Sequence, residues 1–330
     1  MLPERLRLAH TPTPLARDAR LSAMLGVELF VKRDDATGGA EAGNKIRKLE
    51  FLLADALARG KKHVVTCGGI QSNHARATAI LARRLGLECT LLLRVTDGPV
   101  SGPERDAPSG DLPLGGNVLL DRLVGAHVRT ITPADYARRN DCMMHVATDV
   151  DGYVIPEGGS NGLGALGYVE AMREIAEQIR EPFDVVVHAC GSGGTAAGVA
   201  LGSAAHGAAK SVRAIAVCDD AAYFERAIAG IVGEARAIAK LPAPAPLVVD
   251  DRSKGPRYAV MSDVQRAFLV RCAREAGVLL DPVYTGKAMF GLAAAIERGD
   301  IARGARVLFL HTGGLPGLLA DGAALSTELA

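Results

Sequence analysis

The chain has 330 residues, of which 48% are hydrophobic and 23% are charged, a composition typical of a soluble globular protein with one large or two ordinary domains. Its 38 lysines and arginines nearly balance its 37 aspartates and glutamates, which leaves a net charge of +1. This balance argues against a general nucleic-acid or membrane-surface binder, and the 4% aromatic content argues against a base-stacking surface.

The predicted strands are short β-branched runs, and in chain order they are Val27–Lys32, His63–Thr66, Cys89–Leu93, His127–Ile131, Tyr153–Ile155, Asp184–His188, Val212–Val217 and Arg306–His311. The predicted helices alternate with them and are Asn44–Arg59, Asn73–Leu85, Pro133–Val150, Leu163–Ile179, Thr195–Ala205, Met261–Ala276 and Gly286–Arg298. Several of the strands are continuously apolar, as strands buried on both faces of a parallel sheet are. The alternation predicts an α/β fold with a mostly parallel, doubly wound sheet.

Two stretches interrupt the alternation. Thr96–Gly116 is rich in Pro, Gly and Asp and is predicted to be an irregular surface loop. Leu241–Arg257 holds four prolines and is predicted to be a long extended connection. Long connections of this kind inside a compact chain are often functional.

The six cysteines are scattered, with no C-x-x-C pair and no matching histidine spacing, so no metal site is expected. Scattered cysteines in a chain of this size are typical of reduced thiols. The sequence also starts without a signal-peptide pattern and has no apolar run of about 18 residues. We therefore expect a cytoplasmic protein.

Four predicted strands run into glycine-rich loops, each followed by a helical pattern. The loops are Gly68–His74, Glu157–Gly162, Gly191–Thr195 and Thr312–Gly314. In parallel sheets, ligands bind beyond the carboxyl ends of the strands, where glycine lets the backbone approach the ligand and a helix N-terminus favours an anion. One such loop could be a plain tight turn, but four in one chain favour a phosphorylated small ligand.

The third of these loops also supports a different hypothesis. Gly191–Ala196 matches the G-x-G-x-x-A dinucleotide pattern, and Asp219 and Asp220 follow at about the expected distance. An NAD-dependent oxidoreductase is therefore an alternative, although it gives no role to the N-terminal features described next.

A cluster of cations stands at the start of a predicted helix. Asn44 is a good N-cap residue, which puts Lys45, Arg47 and Lys48 in the first turn, where the helix macrodipole disfavours positive charge. Basic side chains can extend into water, but a cluster in this position suits an anionic ligand. A lysine amine at such a helix end has a lowered pKa, which favours Schiff-base chemistry. Together with a phosphate-type loop, this pattern indicates pyridoxal phosphate (PLP).

Motifs along nearly the whole chain resemble one family. They are Arg33-Asp34-Asp35, Gly43-Asn44-Lys45, Gln71-Ser72-Asn73-His74-Ala75-Arg76, Ile155-Pro156-Glu157-Gly158-Gly159-Ser160-Asn161, Leu280-Asp281-Pro282-Val283-Tyr284-Thr285-Gly286-Lys287 and His311-Thr312-Gly313-Gly314. Together they resemble the PLP-dependent D-cysteine desulfhydrase and 1-aminocyclopropane-1-carboxylate (ACC) deaminase family, and the desulfhydrases most closely. The resemblance implies a fold-type II PLP enzyme of the tryptophan-synthase-β kind and a homodimer. It implies a large PLP-binding domain of residues 1–47 and 162–330, interrupted by a small α/β domain of residues 48–161.

The same resemblance implies roles for individual residues. Those expected to hold the cofactor are Lys45, through a Schiff base, with Lys48, Asn73, Gly191, Ser192, Gly193, Gly194, Thr195 and Thr312. Those expected to act in catalysis are Lys45, Ser72, Tyr258 and Tyr284. Those expected to bind the substrate are Ser72, Asn73, His74 and Thr285.

Simpler structural interpretations of some of these residues stay open on the residues alone. Ser72 could only cap a helix, and His74 could be a structural hydrogen-bonding residue. Tyr258 could lie on the surface, and Tyr284 could lie in a plain turn.

The implied reaction is α,β-elimination from a small β-substituted amino acid, which converts D-cysteine to sulfide, pyruvate and ammonia. A cysteate sulfo-lyase is an alternative, in which Arg257 is a conceivable cation for the sulfonate. An ACC deaminase is a further alternative. Thr285 and Thr312 argue against it, because the deaminase branch has Glu and Leu at those positions, and a neutral Thr supports the electron-accepting ring less well than a carboxylate does.

Overall fold

A computed structural model of the protein describes residues 2–95, 112 and 114–329. The strands are β1 (Leu15–Arg17), β2 (Glu28–Lys32), β3 (His63–Gly69), β4 (Glu88–Arg94), β5 (His127–Ile131), β6 (Tyr153–Val154), β7 (Val185–Cys190), β8 (Val212–Ala216), β9 (Leu247–Asp250) and β10 (Arg306–Leu310). The helices are α1 (Ala19–Leu25), α2 (Lys45–Ala58), α3 (Asn73–Arg84), α4 (Gly116–Leu123), α5 (Pro133–Ala137), α6 (Arg139–Asp149), α7 (Gly162–Gln178), α8 (Gly194–His206), α9 (Ala221–Ile238), α10 (Asp263–Ala276), α11 (Thr285–Glu297), α12 (Leu315–Ala320) and α13 (Ser326–Leu329).

The larger sheet has six strands in the order β1-β2-β10-β7-β8-β9. All neighbours are parallel except β1, which pairs antiparallel with β2. Alternate residues of β10 enter two different cores: Val307 and Phe309 pack with α1, α10 and α11, whereas Leu308 and Leu310 pack with α7. Helices therefore cover both faces of the sheet, as the sequence predicts.

The smaller sheet is parallel throughout, in the order β5-β4-β3-β6. Val64 and Leu91 face α2 and α3, whereas Val65 and Leu92 face α5 and α6. The strands of this sheet all come from within the predicted small domain, between the chain segments that build the larger sheet. Helix α2 runs unbroken across the predicted boundary at residues 47 and 48, and the domain boundaries stay a prediction.

The predicted α/β alternation is confirmed, but two predictions about individual elements are wrong and several elements were not predicted. The connection predicted over Leu241–Arg257 contains β9, which pairs with β8. The single helix predicted over Pro133–Val150 is two helices, which meet at Arg138. Besides β9, the elements without a predicted counterpart are β1, α1, α4, α9, α12 and α13. The loop predicted over Thr96–Gly116 lies mostly outside the described residues, and its last residue begins α4.

Three helices pack at backbone distance next to the carboxyl ends of the strands. A Cβ added to Gly167 of α7 would lie 2.2 Å from the carbonyl oxygen of Arg47 in α2. A Cβ added to Gly198 of α8 would lie 2.2 Å from the carbonyl oxygen of Ala165 in α7. Only glycine permits such contacts, so these two positions bring α2, α7 and α8 together. In the described part of the chain, every helix is too short or too polar to cross a bilayer.

Candidate active site

The glycine-rich loops converge on the start of α2. The backbone N–H of Asn44 donates to the carbonyl of Thr312, after β10, at 3.1 Å. The Asn44 side-chain Nδ2 donates to Thr195 Oγ1, after β7, at 3.1 Å. Lys48 Nζ donates to the carbonyl of Gly158, after β6, at 3.1 Å. One crevice beyond the ends of both sheets therefore contains these loops and the lysine-bearing helix.

Lys45 is the first residue of α2 and is partly buried. Burial lowers the pKa of its amine to about 8, and the negative potential of Glu157 opposes this effect. The next lysine on the same face, Lys48, is buried, and burial together with the charge of Lys45 lowers its pKa well below the usual range. Within the described residues, no carboxylate oxygen lies within 4 Å of either amine, so this pair of amines is suited to an anionic ligand.

The sequence interpretation of the helix start is wrong in two details. The Asn44 side chain does not cap α2, because its amide bonds to Thr195 instead. Arg47 does not face the crevice, since its guanidinium is buried on the opposite side of α2 and donates to Asp34 at 2.8 and 2.9 Å and to Glu174 at 2.9 and 3.1 Å. Only the two lysines of the basic cluster are therefore available to a ligand in the crevice.

Arg47 belongs to a buried ion network that fixes α2 to the larger sheet. Lys32 Nζ donates to Glu174 Oε1 at 2.5 Å, and Tyr168 Oη donates to Asp34 Oδ2 at 2.7 Å. Burial raises the pKa of Glu174, but the hydrogen bonds and charges of Arg47 and Lys32 outweigh it and lower the pKa to about 2. Two cations and two anions thus neutralise one another beneath the crevice.

The N-terminus of α8 forms an anion cradle with Lys48 and Ser160. Gly193 has φ 85°, which turns the chain into the helix. Ser160 Oγ accepts from the Gly194 N–H at 3.2 Å and lies 2.8 Å from Ser192 Oγ. A Cβ on Gly194 would lie 2.6 Å from Ser160 Oγ and 2.9 Å from Lys48 Nζ, so glycine keeps this space open. A helix N-terminus beside a buried ammonium fits a phosphate group such as that of PLP.

The segment after β3 lies along another wall of the crevice. Ser72 caps α3, and its hydroxyl oxygen accepts from the Ala75 N–H at 3.2 Å, which confirms the structural role. His74 is buried, with Nε2 2.9 Å from Thr66 Oγ1. Burial and the charges of nearby lysines lower the pKa of His74 well below the usual range, so its ring is neutral. Asn73 Oδ1 accepts from Arg76 at 3.2 Å.

The two tyrosines that are distant in sequence meet in the structure. Tyr258 Oη and Tyr284 Oη are 2.8 Å apart, and their rings are edge to face with centroids 6.2 Å apart. A Cβ on Gly69 would lie 3.2 Å from Tyr258 Cε1, and a Cβ on Gly191 would lie 3.0 Å from Tyr284 Cε1. The pair therefore stands between the loops after β3 and β7. Burial raises the pKa of Tyr258 to about 12, so its hydroxyl stays protonated.

The two threonines of the predicted site are placed differently. Thr285 is fully buried; its hydroxyl donates to Asp281 Oδ1 at 2.6 Å and accepts from the Asp281 N–H at 2.8 Å. This geometry leaves Thr285 little capacity to bind a substrate, so that role stays a prediction without geometric support. Thr312 lies next to the start of α2, because its carbonyl accepts from the backbone N–H of Asn44, the residue before Lys45.

Several residues of the crevice were missed by sequence reasoning. Ser160 bonds to the anion cradle, and its place directly after the Glu157-Gly158-Gly159 turn was the available signal. Arg94 ends β4 in register with Gly69, and its guanidinium lies 5.5 Å from the ring centroid of Tyr258. No sequence signal brings Arg94 to Tyr258, because 163 intervening positions separate them.

Comparisons with known proteins agree with this geometry. A family model described as "Pyridoxal-phosphate dependent enzyme" matches residues 6–313. The chain is 41% identical to a mitochondrial bifunctional D-cysteine desulfhydrase/ACC deaminase of Arabidopsis thaliana, over 94% of this chain and 78% of that protein. It is 39% identical to a D-cysteine desulfhydrase of Serratia proteamaculans, over 96% of this chain and 95% of that protein.

A solved structure described as an ACC deaminase homologue superposes with a TM-score of 0.86 at 33% identity, covering 98% of this chain and 96% of that one. A threonine deaminase from Solanum lycopersicum shares the fold, with a TM-score of 0.64 at 19% identity, over 97% of this chain and 84% of that one. The Asp220 carboxylate, a candidate for NAD binding, instead caps α9 by accepting from the Tyr223 N–H. The chain belongs to the pyridoxal-phosphate dependent enzyme family and to its D-cysteine desulfhydrase and ACC deaminase branch, and PLP is its cofactor.

Proposed function

We propose that the protein is a lyase that eliminates the β-substituent of a small amino acid, with D-cysteine as the substrate and sulfide, pyruvate and ammonia as products. The observation that carries this proposal is the crevice in which Lys45, with a pKa of about 8, lies near the anion cradle of α8 and a paired set of tyrosines. The relatives named D-cysteine desulfhydrase, at about 40% identity over nearly the whole chain, support the choice of substrate.

Residues of α2, α3 and the glycine-rich loops would hold the cofactor. Lys45 would supply the amine that binds the PLP aldehyde, while Lys48 and the loop Gly191–Thr195 would hold the phosphate. Asn73 would bind the phenolic oxygen, and Thr312 would contribute to the cofactor site. When bound, PLP supplies an electron-accepting ring that stabilises negative charge on the substrate α-carbon.

The chain's own groups then bind the substrate and move its protons. The Lys45 amine, whose pKa burial lowers to about 8, would take the proton from the substrate α-carbon; the sulfur leaves as hydrogen sulfide, and water completes the release of pyruvate and ammonia. Ser72 uses its oxygen to cap α3, which leaves its O–H free to donate to the substrate carboxylate. Tyr258 and Tyr284 would stand over the β-substituent; one of their hydroxyls donates to the other, which leaves the proton of the second free to donate to the departing sulfur. His74, which is buried, neutral and bonded to Thr66, would support the loop after β3.

A second candidate, the cysteate sulfo-lyase, gains support from Arg94 rather than from Arg257. Arg257 is exposed, and its backbone carbonyl accepts from Lys287. The guanidinium of Arg94, by contrast, lies between the rings of Tyr136 and Tyr258, at 4.8 and 5.5 Å from their centroids. A cation beside Tyr258 is the group that a sulfonate on the β-carbon would need.

The experiment supplies the purified holoenzyme with D-cysteine, L-cysteine, cysteate and ACC in parallel. Sulfide and pyruvate from D-cysteine are expected to dominate. Sulfite from cysteate as the main product would support the second candidate, and 2-oxobutanoate from ACC as the main product would contradict the argument from Thr285 and Thr312.

We also propose a cytoplasmic homodimer, which the family resemblance supports, and light scattering of the purified protein measures its mass.

A further inference from the structure

Arg76 is a buried arginine of α3 that has no role in the chemistry described so far. It is only 1% exposed, and its guanidinium makes three hydrogen bonds. Nη1 donates to Asn73 Oδ1 at 3.2 Å and to Asn117 Oδ1 at 3.0 Å, and Nη2 donates to the carbonyl of Ala42 at 2.6 Å. One side chain thus joins α3, α4 and the segment that leads into Lys45.

The first contact determines how the Asn73 amide is oriented. A guanidinium only donates hydrogen bonds, so the amide atom that faces it must be the oxygen. A second donor enforces the same orientation: Asn117 Nδ2 lies 3.3 Å from Asn73 Oδ1 and is itself fixed by a 2.9 Å bond to the carbonyl of Gln71. The N–H donors of Asn73 are therefore directed away from Arg76.

The contact with Ala42 fixes the other partner of the cofactor. Ala42 precedes Lys45 by three residues, and the intervening Gly43 is itself close to the guanidinium, since a Cβ there would lie 3.9 Å from Arg76 Nη2. A single rigid, planar group thus links the Asn73 amide to the carbonyl of Ala42, in the segment that leads into Lys45.

The charge of Arg76 is retained by its surroundings. Burial lowers the pKa of this guanidinium to about 10, while Asp121 and Glu41 oppose the effect. The group remains cationic at neutral pH and cannot exchange its donor role for an acceptor role.

We propose that Arg76 is a positioning residue for the cofactor, which acts through Asn73. It turns the Asn73 N–H toward the phenolic oxygen of PLP and holds that donor at a set distance from Lys45. The inference rests on the proposed contact between Asn73 and that oxygen. An N–H donor stabilises the negative phenolic oxygen, so its loss raises the pH midpoint of the visible absorbance of the holoenzyme.

The experiment titrates this absorbance in the holoenzyme and in a set of variants. Asn73→Leu is expected to raise the midpoint by about one pH unit, the effect of losing one hydrogen bond to a charged group. Arg76→Met is expected to reproduce part of that shift, because Asn117 Nδ2 still donates to Asn73 Oδ1, and Arg76→Lys a smaller part of it. The double variant Asn73→Leu/Arg76→Met should shift no further than Asn73→Leu alone, because both changes remove the same interaction. Arg83→Met, an exposed arginine of the same helix, is the matched control and should leave the midpoint unchanged.

The outcomes separate the inference from the proposed function. A shift in Asn73→Leu without one in Arg76→Met or Arg76→Lys overturns the inference, and so does a fully additive double variant. An unchanged midpoint in Asn73→Leu also overturns the inference, because it would show that Asn73 does not contact the phenolic oxygen. Pyruvate formation by the wild type would still support the proposed lyase activity in that case. If Arg76→Met does not fold, Asn117→Ala removes the second donor to Asn73 and is expected to raise the midpoint in the same direction; no shift there, with Arg76→Lys also unshifted, overturns the inference.

Discussion

Replacing Lys48 with Met is expected to weaken PLP binding through the phosphate alone. Among the described residues, the buried Lys48 amine donates to the Gly158 carbonyl and Ser160 Oγ and has no carboxylate within 4 Å. A hydrogen bond to a charged group contributes about 1.5–3 kcal/mol, which corresponds to a 10- to 150-fold rise in the Kd for PLP. Methionine keeps the length of the side chain, so the packing of α2 should be little changed.

The assay compares PLP with pyridoxal, which lacks the phosphate, by absorbance titration of the apo-protein. Lys48→Met should raise the Kd for PLP and leave that for pyridoxal nearly unchanged. Lys287→Met is the matched control: its amine is also buried, with a pKa lowered to about 8 by burial, but it donates to the carbonyls of Val217, Lys254 and Arg257. Lys287→Met should lower the free energy of unfolding but leave the ratio of the Kd for PLP to the Kd for pyridoxal unchanged. An unchanged ratio in Lys48→Met would refute the placement of the phosphate at the α8 cradle.

Three further predictions concern other parts of the crevice. Borohydride reduction followed by peptide mapping should place the pyridoxyl group on Lys45, and its recovery on another lysine would contradict the assignment. In the apo-protein, the charged Lys45 amine destabilises the fold below about pH 8, and this cost disappears by about pH 10.5, where the amine is neutral in both the folded and the unfolded chain. The free energy of unfolding, measured by urea denaturation, should therefore rise between these two pH values, and it should rise less steeply in Lys45→Met. Arg94→Met should reduce sulfite release from cysteate at least tenfold and spare sulfide release from D-cysteine, whereas equal losses would show that Arg94 only supports Tyr258.

The sequence predicts the alternating elements well, because buried parallel strands are continuous apolar runs with glycine at their ends. It fails where tertiary pairing overrides local composition. Strand β9 follows three prolines and exists because β8 offers it a partner edge. Helix α9 is a different case, because its buried residues Phe224, Ile228, Ile231 and Ala235 stand at helical spacing and did carry a local signal, although Gly230 and Gly233 lower the intrinsic helix propensity.

The site is predictable where function depends on contiguous residues and unpredictable where it depends on contact across the chain. Lys45 and the Gly191 loop carry their signal locally. The N-cap preference of Asn44 is misleading, because nothing in the local sequence shows that a residue 151 positions away accepts from its side-chain amide. The role of Arg47 was likewise hidden, since only the folded chain brings Glu174 to it.

The ion network beneath α2 restricts how this protein can evolve. Lys32, Asp34, Arg47 and Glu174 cancel one another's charge in the interior, so replacing any one of them leaves an uncompensated buried charge and destabilises the fold by about 3–5 kcal/mol. During evolution, one of these residues can be replaced without this cost only if an oppositely charged partner is replaced at the same time. We therefore expect the four positions to covary among homologues, with lysine and arginine lost in step with their acidic partners, even though none of these side chains faces the crevice where the cofactor binds.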